Sequence, residues 1–389
     1  MIRRTRVEID LHAIVSNART VQQVTGTQLY AVVKADAYGH GAVSVATALA
    51  EAKAASGFCV SLVEEGVALR EAGIHLPILV MGPSQVGGED EMVEAKLTPV
   101  ISSPEELHAL AHVARGRTEA VEAHLKVDTG MGRLGVAIER APELVGEASR
   151  SGIQVVGLMT HFANADTDEP GDGTTLTAAQ LQRFAEADRA VTKAGAKLRV
   201  RHAANSSGAL VFPEARFDLV RVGIALYGNG RWAASSSFSS SYPASRATPP
   251  PPAVQPAMRL VTAIAQLRSV PAGASVGYGA LWRAERESRV AVLPCGYADG
   301  LPRSATGHAQ AAIRGRRVPL IGRISMDIAI ADVTDVPDAA VGDTVVLLGR
   351  ASGGATITAA EYGEWSGLSE YEVTCGMSKR VPRTYVEAR

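Results

Sequence analysis

A lysine at the end of an apolar run is the first feature of this chain that invites chemistry. Lys34 closes LYAVVK and opens ADAYGHG, with Tyr38 close behind it and glycines on either side of His40. Burying an ammonium group is costly unless it is paired or chemically changed. A desolvated amine suits Schiff-base chemistry; the plainer reading is a strand ending in a surface lysine. Other polar residues fall at similar places. Lys126 and Asp128 end EAHLKVD, His161 nearly ends QVVGLMTHF, Asn205 and Ser206 follow LRVRHAA, and Arg221, Gly223 and Ile224 lie in VRVGIALYG. Arg221 inside an apolar run needs a partner, which is either a structural salt bridge or a ligand. Ser206 with backbone donors at Gly223 and Ile224 could hold a phosphate or be a simple loop. His161 is either a satisfied core histidine or a member of the same site.

Two other patterns point away from chemistry. Gly130, Gly132 and Gly135 spell GxGxxG after EAHLKVD. A dinucleotide site wants an acidic residue about 20 positions on, at the end of the next strand. Here that strand ends near a histidine, so the glycines better serve to let Arg133 reach out from a tight turn. His108 and His112 lie one helical turn apart without a carboxylate pattern, which reads as a surface pair, and no metal is expected.

These residues need elements to bring them together. Between Leu29 and about Gly228, eight short apolar runs alternate with Ala-rich helical segments. The pattern predicts a (β/α)8 barrel with the polar residues at the C-terminal ends of its strands, the catalytic face of such a barrel. An open doubly wound sheet is the alternative. The expected divisions are a barrel over 9–232, a Ser/Pro-rich linker or insertion over 233–256, and a mostly-β unit over 257–389, joined by a strand within 1–8. Asp10 is placed to cap the helix that follows that strand. The β unit carries Tyr278 in VGYGA, Asp299 and Arg303 in GYADGLPR, Met326 and Asp327 in GRISMD, and Tyr371 in YEVTCG. Phenols on such turns are either exposed or reach a neighbour, and the residues alone do not choose.

Composition sets wide bounds. The 389 residues are 46% apolar and 20% charged, with a net charge of -1. No basic balance asks for nucleic acid, and no apolar run is long enough for a membrane span. Cys59, Cys295 and Cys375 are too few and too scattered for a disulfide framework. MIRRTRVEID lacks the apolar core of a signal peptide, so a cytoplasmic protein is expected.

The ordered set AVVKADAYGHG, HLKVDTGMGRLG, THFANAD, HAANSSG, RVGIALYG, VGYGA, GYADG, GRISMD and YEVTCG resembles the alanine racemase family over nearly the whole chain. Members are bacterial enzymes that bind pyridoxal 5'-phosphate on a (β/α)8 barrel. The resemblance implies that Lys34 holds the cofactor covalently and that Tyr278 is the opposing base. Arg221 would face the pyridine nitrogen. Tyr38, Ser206, Gly223, Ile224 and Tyr371 would bind the phosphate. Arg133 would contact the cofactor's phenolic oxygen and the substrate carboxylate, steadied by Lys126, a lysine often carbamylated in the family. Met326 would meet the substrate carboxylate, Asp327 would lie at the entrance, His161 would bond the catalytic tyrosine, and Asn205 would belong to the surrounding shell.

The resemblance further implies a homodimer with composite sites, Tyr278 acting across the interface on an amino-acid substrate. The product D-alanine would feed peptidoglycan. A broader or serine-preferring racemase, a non-catalytic cofactor-binding protein and a decarboxylase are the other readings; VGYGA and the β unit speak against the second, the cysteine pattern against the third. Two departures stand out. Ser325 occupies a position that is cysteine in many members, and the stretch 233–256 is longer and richer in Ser and Pro than usual.

Overall fold

The computed structural model describes residues 3–83, 88–230 and 254–386. The Ser/Pro-rich stretch expected over 233–256 lies outside the described residues except for its last three. A first strand, β1 (Arg6–Asp10), precedes eight others: β2 (Gln28–Val32), β3 (Gly57–Val60), β4 (Ile78–Val80), β5 (Thr98–Ile101), β6 (Val121–Lys126), β7 (Ile153–Met159), β8 (Val200–His202) and β9 (Leu219–Val222). These eight form one parallel sheet in the order β8-β7-β6-β5-β4-β3-β2-β9. The seam between β8 and β9 is drawn together by bonds from Asp218 N to Arg201 O (3.1 Å) and from Arg221 N to Ala204 O (3.0 Å). The result is a nearly closed barrel, and the apolar runs of the sequence are its strands.

The helices between strands start where local chemistry places them. Asp10 accepts from Ala13 N at 2.8 Å and caps the helix Leu11–Thr25. Ser103 accepts from Glu106 N, with Pro104 in the first turn of Pro104–Ala114. Asn17, on the first helix, ties the end of the barrel to the returning chain. Its amide donates to Leu226 O (2.9 Å) and Gln255 O (2.8 Å), and its oxygen accepts from Gln255 N (2.8 Å).

The C-terminal part is a mostly antiparallel, curled sheet of ten strands. β1 belongs to it rather than to the barrel. It pairs antiparallel with β10 (Met258–Ala263) and parallel with Arg383–Val386. Two short helices, Ala359–Ser366 and Glu370–Cys375, come late in this part. The first matches the helical pattern of AAEYGEWSG; the second was not legible in YEVTCG.

Lys34 lies just beyond β2, and the chain then makes a left-handed turn. Ala35, Asp36, Ala37 and Tyr38 have φ of 52°, 54°, 53° and 55°. Each such residue with a Cβ costs roughly 1–2 kcal/mol, so packing has to hold the turn in place. Helix Glu370–Cys375 packs against it. Gly39 has φ +83°, and a Cβ there would meet Thr374 O at 2.2 Å. Arg383 donates to Gly39 O (3.3 Å) and to Met377 O (2.7 Å), fastening the same junction.

Gly39→Ala should therefore cost roughly 2–3 kcal/mol or more, because it adds a clash to a disfavoured φ. Urea unfolding of the purified variant measures it; a loss below about 0.5 kcal/mol would mean that this junction has room to spare.

Candidate active site

The C-terminal ends of the barrel strands open into a cavity of about 570 Å³. Its wall combines segments far apart in sequence. Lys34 and Tyr38 come from the left-handed turn, Lys126 from the end of β6, and Arg133 from the following loop. His161 follows β7, Asn205 and Ser206 follow β8, and Arg221 lies on β9 with Gly223 and Ile224 beyond it. Tyr371 enters from helix Glu370–Cys375. A larger cavity of about 780 Å³, bordered by Asp10, Gly230, Gln255 and Gly349, holds none of the catalytic or binding residues expected from the sequence.

Arg221 is the buried centre of the site, 2% exposed. Its guanidinium donates to Thr160 O (2.7 Å), Ala203 O (3.1 Å), His202 Nδ1 (2.7 Å) and His161 Nδ1 (3.3 Å). An arginine can only donate, so both histidines accept at Nδ1 and carry their proton on Nε2. The proton on His202 then points along its 2.8 Å bond to His124 Nδ1. A one-way chain runs from Arg221 through His202 to His124. Burial, reinforced by the Arg221 charge, keeps both rings uncharged: His202 falls well below the usual range and His124 to about 3.

The same physics acts on the groups facing the cavity. His161 is pushed down to about 3 by burial and then by Arg221, Lys126, Arg133 and Lys34. Lys126 drops to about 8, chiefly through burial, then through Arg221 and Arg133, against the pull of Asp128 and Glu106. Burial first, then Tyr371, pushes Tyr38 far above the ordinary phenol range. Burial and then Glu370 raise Tyr371 to about 12. Both phenols are thus neutral hydrogen-bond donors at neutral pH.

Ser206 Oγ gathers the amides of Gly223 (3.1 Å) and Ala225 (3.4 Å). A Cβ on Gly223 would sit 2.5 Å from the Tyr38 hydroxyl, so glycine lets the phenol close on the amides. The Ser206 hydroxyl, which accepts from both amides, keeps its own proton to donate beside the Tyr38 hydroxyl, so the two hydroxyls are the donors an oxyanion could meet here. Asn205 lines the cavity, but its side-chain oxygen accepts from Gly208 N (2.9 Å) and caps the helix Ser206–Val211 that carries Ser206. The glycine-rich loop is no nucleotide site: the amides of Gly130, Met131 and Gly132 all turn onto the Asp128 carboxylate.

Three expected site residues are elsewhere in this chain. Tyr278 is 74% and Met326 53% exposed on the C-terminal part. Asp327 is exposed and pairs with Arg380 (2.7 Å), which also holds buried Asp299 at 2.8 Å. Other wall residues were not singled out: Ser61, Met81, Leu134, Met159, Ser207 and Cys375. Ser61, Met81 and Met159 sit at the ends of β3, β4 and β7, so strand register was the signal that could have found them. Among the described residues no group of three or more His, Cys, Asp or Glu side chains could hold a metal ion. No helix among them is long and apolar enough to cross a membrane.

Comparison with known proteins adds a family. Residues 9–230 match the family described as alanine racemase, N-terminal domain, and 257–385 match alanine racemase, C-terminal domain. The chain is 41% identical to an alanine racemase of Sorangium cellulosum, covering 99% of this chain and 100% of that one. It is 40% identical to one of Symbiobacterium thermophilum, covering 99% and 97%. Among solved structures it is similar to the alanine racemase of a D-cycloserine-producing Streptomyces lavendulae, with TM-score 0.88, 34% identity and coverage of 100% and 98%. It is also similar to that of Bacillus anthracis with bound L-Ala-P, with TM-score 0.87, 31% identity and coverage of 100% and 96%.

The lowered value at Lys126 has a direct test. The neutral amine predominates above about pH 8, so reductive methylation followed by peptide mass spectrometry should show half-maximal reactivity there. A midpoint near ~10.4, that of a free lysine, would mean that the amine is solvated.

Proposed function

The chain belongs to the alanine racemase family, and from that premise we infer how its residues divide the interconversion of L- and D-alanine with pyridoxal 5'-phosphate. The observation that carries the reading is charge. Lys34, Lys126, Arg133 and Arg221 line one cavity whose described wall contains no carboxylate. A phosphate-bearing cofactor and a substrate carboxylate answer that charge. Glycine at 223 also keeps the corner beside the Tyr38 and Ser206 hydroxyls open, since a Cβ there would meet the Tyr38 hydroxyl at 2.5 Å.

Lys34 would hold the cofactor. Tyr38, Ser206, Gly223, Ile224 and Tyr371 would take its phosphate, Arg221 its ring nitrogen, and Arg133 its phenolic oxygen and the substrate carboxylate. When bound, the cofactor supplies the conjugated system that acidifies the substrate's Cα–H. Inversion at Cα needs a base on each face. Lys34 takes the proton of D-alanine and returns it; the partner's Tyr278 does the same for L-alanine on the other face. A phenol acts as a base only after losing its proton, so this one needs a neighbour that favours the phenolate. His161 accepts from Arg221 at Nδ1 and has a proton left on Nε2, a donor that favours the phenolate. Arg221, brought down to about 10 chiefly by burial, is still charged at neutral pH. It would face the ring nitrogen as a donor that does not give up its proton, so that the nitrogen would stay unprotonated and side reactions would be restrained.

A dimer with composite sites is supported by what the single chain exposes. Tyr278, Leu281 and Met326 are 74%, 55% and 53% exposed. The turn carrying Tyr278 lies against Gly322 and Arg323, next to the Met326 loop. Met326 would add to the contacts of the substrate carboxylate and Asp327 would stand at the entrance. With a value near 8, Lys126 has enough neutral amine to form an N–C bond to carbon dioxide and release a proton. The resulting carbamate would steady Arg133. We assign the product to peptidoglycan precursors in the cytoplasm, where the free thiols Cys59, Cys295 and Cys375 would stay reduced.

Mixing Lys34→Ala and Tyr278→Phe homodimers under subunit exchange should restore about a quarter of wild-type activity, because half of the dimers then hold one intact site of two. No recovery despite proven exchange would rule out a tyrosine acting across the interface. In deuterated water, α-proton exchange should be fastest with alanine. A longer side chain should cost about 1–3 kcal/mol, or 10–200-fold in rate. Faster exchange with serine would make this a serine-preferring member, and exchange without inversion would remove the second base.

A further inference from the structure

The turn after Lys34 contains the longest run of left-handed non-glycine residues among the described ones. Such backbone persists only where its surroundings over-determine it. Bonds within the segment close it on itself: Ala37 N to Val33 O (2.8 Å), Gly41 N to Asp36 O (2.9 Å) and Ala42 N to Asp36 Oδ1 (2.8 Å). The start of the turn is tied to the barrel rim by one side chain. Glu65 Oε1 accepts from the amide of Ala35, directly after Lys34, at 2.6 Å. Its Oε2 accepts from Ser61 N (2.8 Å) and Leu62 N (3.1 Å). Ser61 and Leu62 follow β3, the neighbour of β2, and Ser61 lines the cavity. One carboxylate thus joins two adjacent strand ends at the mouth of the site.

The ordinary role of Glu65 explains half of this. It is the third residue of helix Val63–Glu71 and reaches back to the amide of Leu62, as a capping glutamate does. Glu361 does the same for helix Ala359–Ser366, bonding Thr358 N and Oγ1 with one oxygen and Arg317 with the other. Capping accounts for Oε2 of Glu65 but not for Oε1, which crosses to a segment 30 residues away. Both oxygens must be acceptors at once, and only a carboxylate offers that.

We propose that Glu65 is a positioning residue: its carboxylate latches the left-handed turn to the rim beside β3 and so aims the Lys34 amine into the cavity. The inference rests on Lys34 being the cofactor lysine. It is tested on the full chain with Glu65→Gln, which loses one acceptor, and Glu65→Asp, which keeps the charge but, one methylene shorter, cannot bridge Ala35 and Leu62 at once. Glu361→Gln is the control for a lost capping carboxylate. Hydrogen exchange of the cofactor-free proteins reads the latch, and borohydride trapping of added pyridoxal 5'-phosphate, mapped by mass spectrometry, reads the aim. Both Glu65 variants should exchange the Ala35 amide at least about tenfold faster and modify Lys34 correspondingly more slowly, while Glu361→Gln matches wild type in both. Folded Glu65→Asp with a protected Ala35 amide and wild-type trapping would overturn the latch alone. Absence of Lys34 modification in the wild-type chain would overturn both the latch and the cofactor reading beneath it.

Discussion

A buried guanidinium without a carboxylate partner among the described residues is the constraint around which this site is organised. Taking a cation out of water costs several kcal/mol, and Arg221 is 2% exposed. The cost is offset by carbonyl oxygens of Thr160 and Ala203 and by two imidazole nitrogens. Neutral acceptors, unlike a carboxylate, leave the positive charge uncancelled. That charge helps keep His124, His161 and His202 neutral and lowers Lys126. An arginine paired with an aspartate at the same position would fill the same space and produce a cavity of different chemistry.

The barrel supplies the geometry this electrostatics needs. Parallel strands end at one face, so Lys126, His161 and Arg221 converge although their segments are far apart. Lys34 needs more than a strand end. Its amine emerges where β2 stops and the chain turns left-handed, a conformation that costs free energy at every residue with a Cβ. The turn is held from three sides. Tyr227 donates to Val32 O (2.8 Å) and stacks on His40, Glu65 holds Ala35, and Thr374 abuts Gly39. Precision in the placing of one amine is thus spread over residues outside the cavity wall, which is how a strained conformation becomes a reliable one.

The C-terminal part contributes in two ways. Within one chain, helix Glu370–Cys375 brings Tyr371 and Cys375 to the barrel mouth and presses on the turn behind Lys34. It also carries Tyr278, on the turn of a separate hairpin (Ser275–Val276 with Trp282–Arg283), and Met326, on a turn of its main sheet, both exposed in the single chain. One face therefore completes the cavity wall, while the other leaves Tyr278 and Met326 open to solvent in the single chain. The strand β1 binds the two roles together, since it leaves the C-terminal sheet and runs directly into the first helix packed on the barrel.

What could be read without coordinates followed short-range rules. Short apolar runs marked the barrel strands, which are three to seven residues long, Asp10 and Ser103 marked helix starts, and polar residues at the ends of runs marked the site. Lys34, Lys126, His161 and Arg221 were found that way because strand register is local, and their roles were added by a resemblance in motif order. The rest depended on contacts between distant segments. Nothing in ADAY announces a left-handed turn, because none of its residues is glycine and the cost is met by Glu65, Tyr227 and Thr374 elsewhere. Nothing in HLK or RHA pairs His124 with His202, which meet only when β6 and β8 flank β7. The six residues of the Tyr371 helix were too short a signal to show periodicity. Local sequence determined which elements form and which groups they carry. Tertiary structure decided which groups are dry and which face each other, because burial and long-range hydrogen bonding are properties of the packed whole.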